Sequence, residues 1–277
     1  MVLLPPSHFT DVEGMFPEDG PNAAMLHATL EGRVPGRVLV DDAQRPSCAL
    51  VQADYYGFTF PSRPMPPSFL KEGIERLLED GPVLLVWPSE SDVPAASVDP
   101  PVAGLTLERV MLRGFDVSSM PLHGVQVPEG CMLSPMDSGL VPRCVWHDQL
   151  MRAMGSIDRF LTYGLGVCLL RDDTILSEAY MCFWGSGVAE IGVVTHPDHR
   201  RQGFGVLTAR HLIELCEERG LDVYTTCYAA NEPLRRVAVQ VGLTEEVPYL
   251  LHVYGAASAE DFETIIASEK SQSPDRA

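Results

Sequence analysis

A mixed α/β fold in two parts is predicted by three features of the 277-residue sequence. Hydrophobic residues make up 45% of the chain, enough to bury one large core or two small ones. The order hairpin, helix, strand is written once in each half. In the second half a branched, alternating strand runs through a glycine-containing loop into a periodic helix, over the stretch V-A-E-I-G-V-V-T-H-P-D-H-R-R-Q-G-F-G-V from Val188 to Val206.

Charge and cysteine usage narrow the function classes. A formal charge of −18 and a pI near 4.7 argue against a nucleic-acid partner, because such binding needs a basic surface to displace counterions. A cationic or amine-bearing small molecule is easier to accommodate. The seven cysteines are scattered, odd in number and contain no C-x-x-C, so neither a disulfide framework nor a metal site is expected. Residues 1–6 hold only a short apolar run, and no later stretch approaches the length of a membrane span. A soluble, cytoplasmic protein without a membrane partner is expected.

Taken in order, the first half opens with strands at 37–40 and 48–52 around the polar turn D-D-A-Q-R-P. Asp41 and Asp42 at that turn read as turn formers rather than a carboxylate pair. Ser68 is placed to cap a helix that runs to Glu79, with Phe69, Ile74, Leu77 and Leu78 along one face. A buried strand follows at 83–87, and Trp87 and the Tyr55-Tyr56 pair are expected in the core. Prolines concentrate here, and no phosphate-loop glycines follow the hairpin.

In the second half Trp146, Leu150 and Met154 recur at helical spacing, a second helix is expected over 157–161, and a hairpin spans 164–170 and 174–183 around Arg171-Asp172-Asp173. The strand 189–195 is followed by a turn at His196-Pro197-Asp198 and a helix starting near Val206. Gly220 ends that helix, a strand is expected at 223–228, and Asn231 caps a helix that carries Pro233 just inside its start. Gly242 ends this helix, and a strand or strand pair is expected over 247–254. A short terminal helix capped by Ser258 and a polar tail complete the chain.

The loop carries the chemistry. At a strand-to-helix junction the first helical N–H groups lack partners and the helix dipole adds positive charge, so an anion such as a pyrophosphate fits. Gly203 and Gly205 remove Cβ atoms that would hold a phosphate away, and Arg200 and Arg201 add charge beside it. The missing Gly-Lys-Ser/Thr ending excludes a P-loop, and the missing third glycine excludes a dinucleotide fingerprint. What remains, Arg-x-x-Gly-x-Gly after a strand, resembles the acyl-CoA pyrophosphate loop of the GNAT superfamily of N-acetyltransferases. Within it the run Glu190-Ile191-Gly192-Val193-Val194-Thr195 is similar to the Glu-Ile-Gly-Ile-x-Thr of the two-part branch typified by zwittermicin-resistance acetyltransferases.

That resemblance implies a mixed, mostly antiparallel sheet flanked by helices, with a degenerate copy of the same unit as the N-terminal half. The implied domains are 1–130, the acetyltransferase unit 131–258, and a tail 259–277. It implies acetyl-CoA as cosubstrate, with no metal, held by Val193, Val194, Thr195, Arg200, Arg201, Gln202, Gly203, Phe204, Gly205, Val206 and Asn231. The Val193 N–H would meet the thioester oxygen and Asn231 would contact the pantetheine region, although helix capping also accounts for Asn231. The helices near 146–161 would border the acceptor pocket.

Transfer to an amine needs a base, an oxyanion donor and a proton for the thiolate. Glu190, on an apolar central strand, is the candidate catalytic base, with an ion pair to an arginine as its other reading. The family's usual proton-donating tyrosine position is Ala238 here, which leaves Tyr249, Tyr228 or water for that role. The expected function is therefore an N-acetyltransferase acting on a primary amine of a small molecule, as a monomer or homodimer. A non-catalytic acyl-CoA sensor is the alternative, since it would keep the loop and dispense with the acid.

Overall fold

The computed structural model describes residues 1–88, 105–115 and 126–255. The chain forms two compact units: Met1–Arg109 together with the chain from Pro248, and Val110–Val247.

The first unit contains β1 (Val2–Leu3), α1 (Ala23–Leu30), β2 (Gly36–Val40), β3 (Ala49–Ala53), β4 (Phe58–Pro61), α2 (Pro67–Leu78) and β5 (Val83–Pro88). Its strands lie in the order β1-β2-β3-β4-β5. All pairs are antiparallel except β4 with β5, which run parallel where Phe58 meets Leu84 and Thr59 meets Leu85.

Several elements depart from their sequence-based expectation for identifiable reasons. Every residue of α1 is buried, so the helix has no polar face and leaves no periodic signal. Helix α2 starts at Pro67 with Pro66 in the cap position, and Ser68 makes no cap. Proline suits the first helical turn because its φ is already helical and it has no N–H to satisfy. Asp41 and Asp42 do form the turn: Asp41 accepts the N–H groups of Ser47 and Cys48, and Asp42 those of Gln44 and Arg45. Trp87 is buried, whereas Tyr55 and Tyr56 sit partly exposed in the β3–β4 turn, with Tyr56 at φ 52°.

The core of this unit joins Leu70, Ile74 and Leu77 of α2 to Leu50 of β3 and to Leu85 and Trp87 of β5. Met65, in the loop before α2, is buried in the same cluster. The stretch from the end of β4 through the first residue of α2 contains Pro64, Pro66 and Pro67, three positions that offer no backbone N–H.

The chain crosses into the second unit within β6 (Leu105–Phe115) and leaves it within β12 (Leu243–Tyr254), whose Tyr249–Tyr254 stretch pairs antiparallel with β5. Between these lie β7 (Cys131–Pro135), α3 (His147–Met154), α4 (Ile157–Tyr163), β8 (Gly166–Arg171), β9 (Thr174–Gly185), β10 (Val188–Thr195), α5 (Phe204–Glu218), β11 (Asp222–Tyr228) and α6 (Glu232–Gln240). Strands β7 to β11 follow one another in space, antiparallel throughout except for β10 with β11.

Both units thus follow one plan, in which a hairpin strand enters a loop and a helix and the next strand returns parallel to it. The terminal helix and tail expected beyond 258 lie outside the described residues. Among the described residues no helix is long and apolar enough to cross a membrane.

Ile74 is fully buried at the centre of the α2 face. Ile74→Ala is expected to lower the unfolding free energy by about 2–5 kcal/mol, read from urea titrations followed by circular dichroism.

Candidate functional site

The site begins where β10 parts from β11. The two strands pair only over Val188–Asp222, Ala189–Val223 and Glu190–Tyr224. At the next residue the Ile191 carbonyl accepts the Thr225 hydroxyl at 2.8 Å, a side chain taking over from the main-chain rung that would have continued the ladder. On its other edge β10 stays paired with β9 as far as Thr195. Backbone groups on this side include the Val194 carbonyl, which accepts the Ser177 hydroxyl, and the His196 N–H, which donates to Leu176. Backbone groups alternate in direction along a strand, so those of Val193 and Thr195 turn the same way as the Ile191 carbonyl, toward the opening. Ile191 is buried, while Gly192 to Thr195 are partly exposed.

Beyond Thr195 a single helical turn, Pro197–His199, leads to Arg200, whose Nε donates back to the Thr195 carbonyl at 3.2 Å. Arg201 and Gly203 then take φ values of 62° and 81°. Left-handed residues interspersed in a turn aim successive N–H groups inward, the geometry of an anion-binding nest. Helix α5 starts at Phe204, two residues before its expected start near Val206, and its first turn closes with Leu207 N–H donating to Gly203. The backbone N–H groups from Arg201 to Val206, including those of Gln202 and Phe204, donate to no described residue.

The two glycines serve different ends. A Cβ on Gly203 would meet no atom within 4 Å, and its left-handed φ is the constraint there. A Cβ on Gly205 would come within 3.1 Å of Thr195 Oγ1 and 3.7 Å of Val193 Cγ2. The second glycine therefore lets α5 lie against β10, which corrects the expectation that it clears space for a ligand. Buried hydroxyls hold the helix there: Ser177 of β9 bonds Thr195 and Thr208 of α5 at 3.0 and 3.1 Å, and Thr208 also donates to the Phe204 carbonyl.

The opposite face of the sheet carries the titratable groups. Glu190 is buried, and its carboxylate accepts the Thr226 hydroxyl at 2.6 Å and the Tyr224 hydroxyl at 3.3 Å, both from β11. Gly192 follows on that face. A Cβ there would lie 3.1 Å from both Cζ and Oη of Tyr180 and 3.0 Å from Cys182 Sγ on β9. Two residues before Tyr180, the buried Glu178 accepts the N–H groups of Val145 at 3.0 Å and Trp146 at 3.1 Å, just ahead of α3. The Trp146 ring, with its centroid 6.0 Å from that of Tyr180, completes this side.

Asn231 caps α6, its Oδ1 accepting the Leu234 N–H at 3.2 Å. Ala238 is buried in the same helix. Tyr249 is 1% exposed and its hydroxyl accepts Arg109 Nε at 2.9 Å, which leaves it poorly placed to meet a substrate, while Tyr228 is partly exposed at the end of β11. Sequence reasoning singled out the loop, Glu190 and Asn231 but missed Glu178, Tyr180, Thr225 and Thr226. The alternation Glu178, Tyr180, Cys182 along β9 is the signal that marks one of its faces as polar.

Residues 112–252 match the family model described as GNAT acetyltransferase. A curated relative, the uncharacterized N-acetyltransferase YdfB of Bacillus subtilis (strain 168), is 23% identical over 133 residues, which cover 47% of this chain and 51% of the relative. The chain thus spans about half the length of the curated relative it matches. Among solved structures, a GCN5-related N-acetyltransferase-like protein from Streptococcus suis 89/1591 has a TM-score of 0.60 at 24% identity, covering 89% of this chain and 98% of that one. A tandem GNAT protein from the clavulanic acid biosynthesis pathway has a TM-score of 0.59 at 15% identity, covering 91% and 98%. At these identities the likeness is one of fold, a mixed and mostly antiparallel sheet flanked by helices, and the tandem neighbour shares the two-part build.

Burial holds the Glu178 carboxyl above its ordinary value of 4.5, against the bonds from Trp146 and Val145 that pull it down. A carboxyl raised in the folded state contributes stability that is fully present below its unfolded value and is lost as pH rises through the folded one. The unfolding free energy of the protein minus that of Glu178→Gln is therefore expected to fall as pH is raised from below 4.5. Urea titrations of both proteins across a pH series check this, and a difference that rises with pH contradicts it.

Proposed function

The chain belongs to the GNAT acetyltransferase family, and on that footing we propose that it is an N-acetyltransferase. It moves the acetyl group of acetyl-CoA directly to the primary amine of a small molecule. The observation that carries this reading is the parting of β10 from β11 beside a loop whose N–H groups from Arg201 to Val206 have no partner among the described residues.

An oriented set of N–H groups at a helix start suits a pyrophosphate, and Arg200 and Arg201 add charge there. In this reading the backbone from Arg201 through Gln202, Gly203, Phe204 and Gly205 to Val206 holds the phosphates. Val193, Val194 and Thr195 line the pantetheine arm, with the Val193 N–H directed at the thioester oxygen. Asn231 contacts the arm while capping α6. Glu190, held by Thr226 and Tyr224, receives the proton that the amine sheds. We place this work in the domain spanning 131–258. The acidic surface favours a protonated amine approaching from solvent. We assign the protein to the cytoplasm, as a monomer or homodimer, with no metal, nucleic-acid or membrane partner.

A second reading, an acyl-CoA sensor without catalysis, draws support from Ala238, which leaves α6 without a hydroxyl near the family's usual proton-donor position. The transferase is favoured because a thiolate is a good leaving group that solvent can protonate, and because a sensor has no need of a buried carboxylate beside the opening.

Calorimetry with acetyl-CoA is expected to give one site per chain. The first unit's corresponding loop has proline at three positions where a phosphate would need donors. Gly203→Leu is expected to weaken that binding by at least about a hundredfold, because a side chain on this left-handed residue disrupts the turn that aims the donors. Two sites, or unchanged binding by the variant, would sink the loop assignment.

Free-thiol release from acetyl-CoA across a panel of primary amines tests transfer. Amine-dependent release is expected from the native protein, and about 10²–10⁴-fold less from Glu190→Gln. Tight acetyl-CoA binding with no amine-stimulated release would favour the sensor.

A further inference from the structure

We propose that Tyr180 is a further catalytic residue, its hydroxyl delivering the proton that the leaving sulfur needs; this rests on the transferase reading above. Tyr180 pairs across strands with Gly192, and its phenol lies over that glycine, with Oη 3.1 Å from the place a Cβ would occupy. Neighbouring strands are about 4.8 Å apart, and a phenol reaching across that gap brings its hydroxyl over β10 rather than β9.

Gly192 is the second residue beyond the last rung between β10 and β11, and it is partly exposed where Tyr180 is buried. The hydroxyl therefore sits at the inner margin of the opening, on the face that carries Glu190. Any side chain at 192 would push it away, so the glycine and the tyrosine form one feature. An aromatic ring covering a strand glycine also serves packing. Packing alone requires the ring and not the oxygen, and this separates the two roles.

The step balances as follows. The amine nitrogen's lone pair forms the C–N bond, and the C–S bond breaks with its electron pair on sulfur. The Tyr180 O–H gives its proton to that sulfur. The proton shed by nitrogen goes to the Glu190 carboxylate, and the phenolate regains a proton from Glu190 through solvent, leaving both groups as they began.

Tyr180→Phe keeps the ring over Gly192 and removes only the oxygen. With the native protein active on an amine of the panel, the variant is expected to lose roughly a hundredfold in kcat, the low end of the span for acid catalysis, while acetyl-CoA affinity stays within about twofold. A second readout does not depend on turnover. In protein carrying tyrosine isotopically labelled at Cζ, the resonance missing from Tyr180→Phe is expected to shift on adding coenzyme A and to shift less with desulfo-coenzyme A, which lacks the sulfur. An unchanged kcat in the variant, or equal shifts with the two ligands, would overturn the role of Tyr180 and leave the transferase reading standing. Tight acetyl-CoA binding without amine-stimulated release by the native protein would overturn the transferase reading and this inference with it.

Discussion

Two parallel strands separate only where the backbone groups they uncover find other partners, and the fork between β10 and β11 depends on how that requirement is met. The Thr225 hydroxyl satisfies the Ile191 carbonyl at the branch point, so the ladder ends without a buried orphan. Past that point the backbone of Val193 faces an opening instead of a strand, and the Thr195 carbonyl accepts Arg200 Nε. β10 does not drift into the gap, because β9 holds its other edge and Ser177, Thr195 and Thr208 tie both strands to α5. The close approach of α5, permitted by the missing side chain of Gly205, brings the free N–H groups of its first turn to the end of the same strand. Fork, loop and helix start are thus one construction.

The two buried carboxylates beside this construction are handled differently. Glu178 accepts backbone N–H groups ahead of α3, which fastens the helix pair α3–α4 to the sheet and leaves the carboxylate with a structural task. Glu190 is held by the hydroxyls of Thr226 and Tyr224, groups that can rotate, unlike the fixed backbone amides that hold Glu178. Glu178 and Glu190 thereby share one face of the sheet with Tyr180.

The first unit supplies an internal comparison. It has the parallel start of β4 and β5 and a helix following β4, as the second unit has for β10, α5 and β11. Its loop, however, has proline where the second unit has donors, and Met65 turns inward to the core of α2 and β5. What distinguishes the two loops is the supply of N–H groups without a partner among the described residues, which proline removes at the start of a helix without weakening the helix itself.

Much of this was legible in the chain because it rests on local rules. The strand-loop-helix run at 188–206, the cap at Asn231, the turn at Asp41-Asp42 and the amphipathic face of α2 all follow from periodicity and turn chemistry acting over a few residues. Helix α1 was not legible, since burial on all sides erases the contrast that periodicity needs. The start of α5 at Phe204 and the cap at Pro66 shifted by a residue or two because left-handed φ at Gly203 and the fixed φ of proline set those ends. The donor loop and the base candidate were thus readable in the sequence alone, as residue types in a fixed local order. Only the tertiary structure decided where β10 and β11 part, that Gly205 answers to packing against β10, and that Tyr180 and Glu178 share a face with Glu190. Those relations join residues on three strands and a helix far apart in the chain, and no local pattern fixes the register that brings them together.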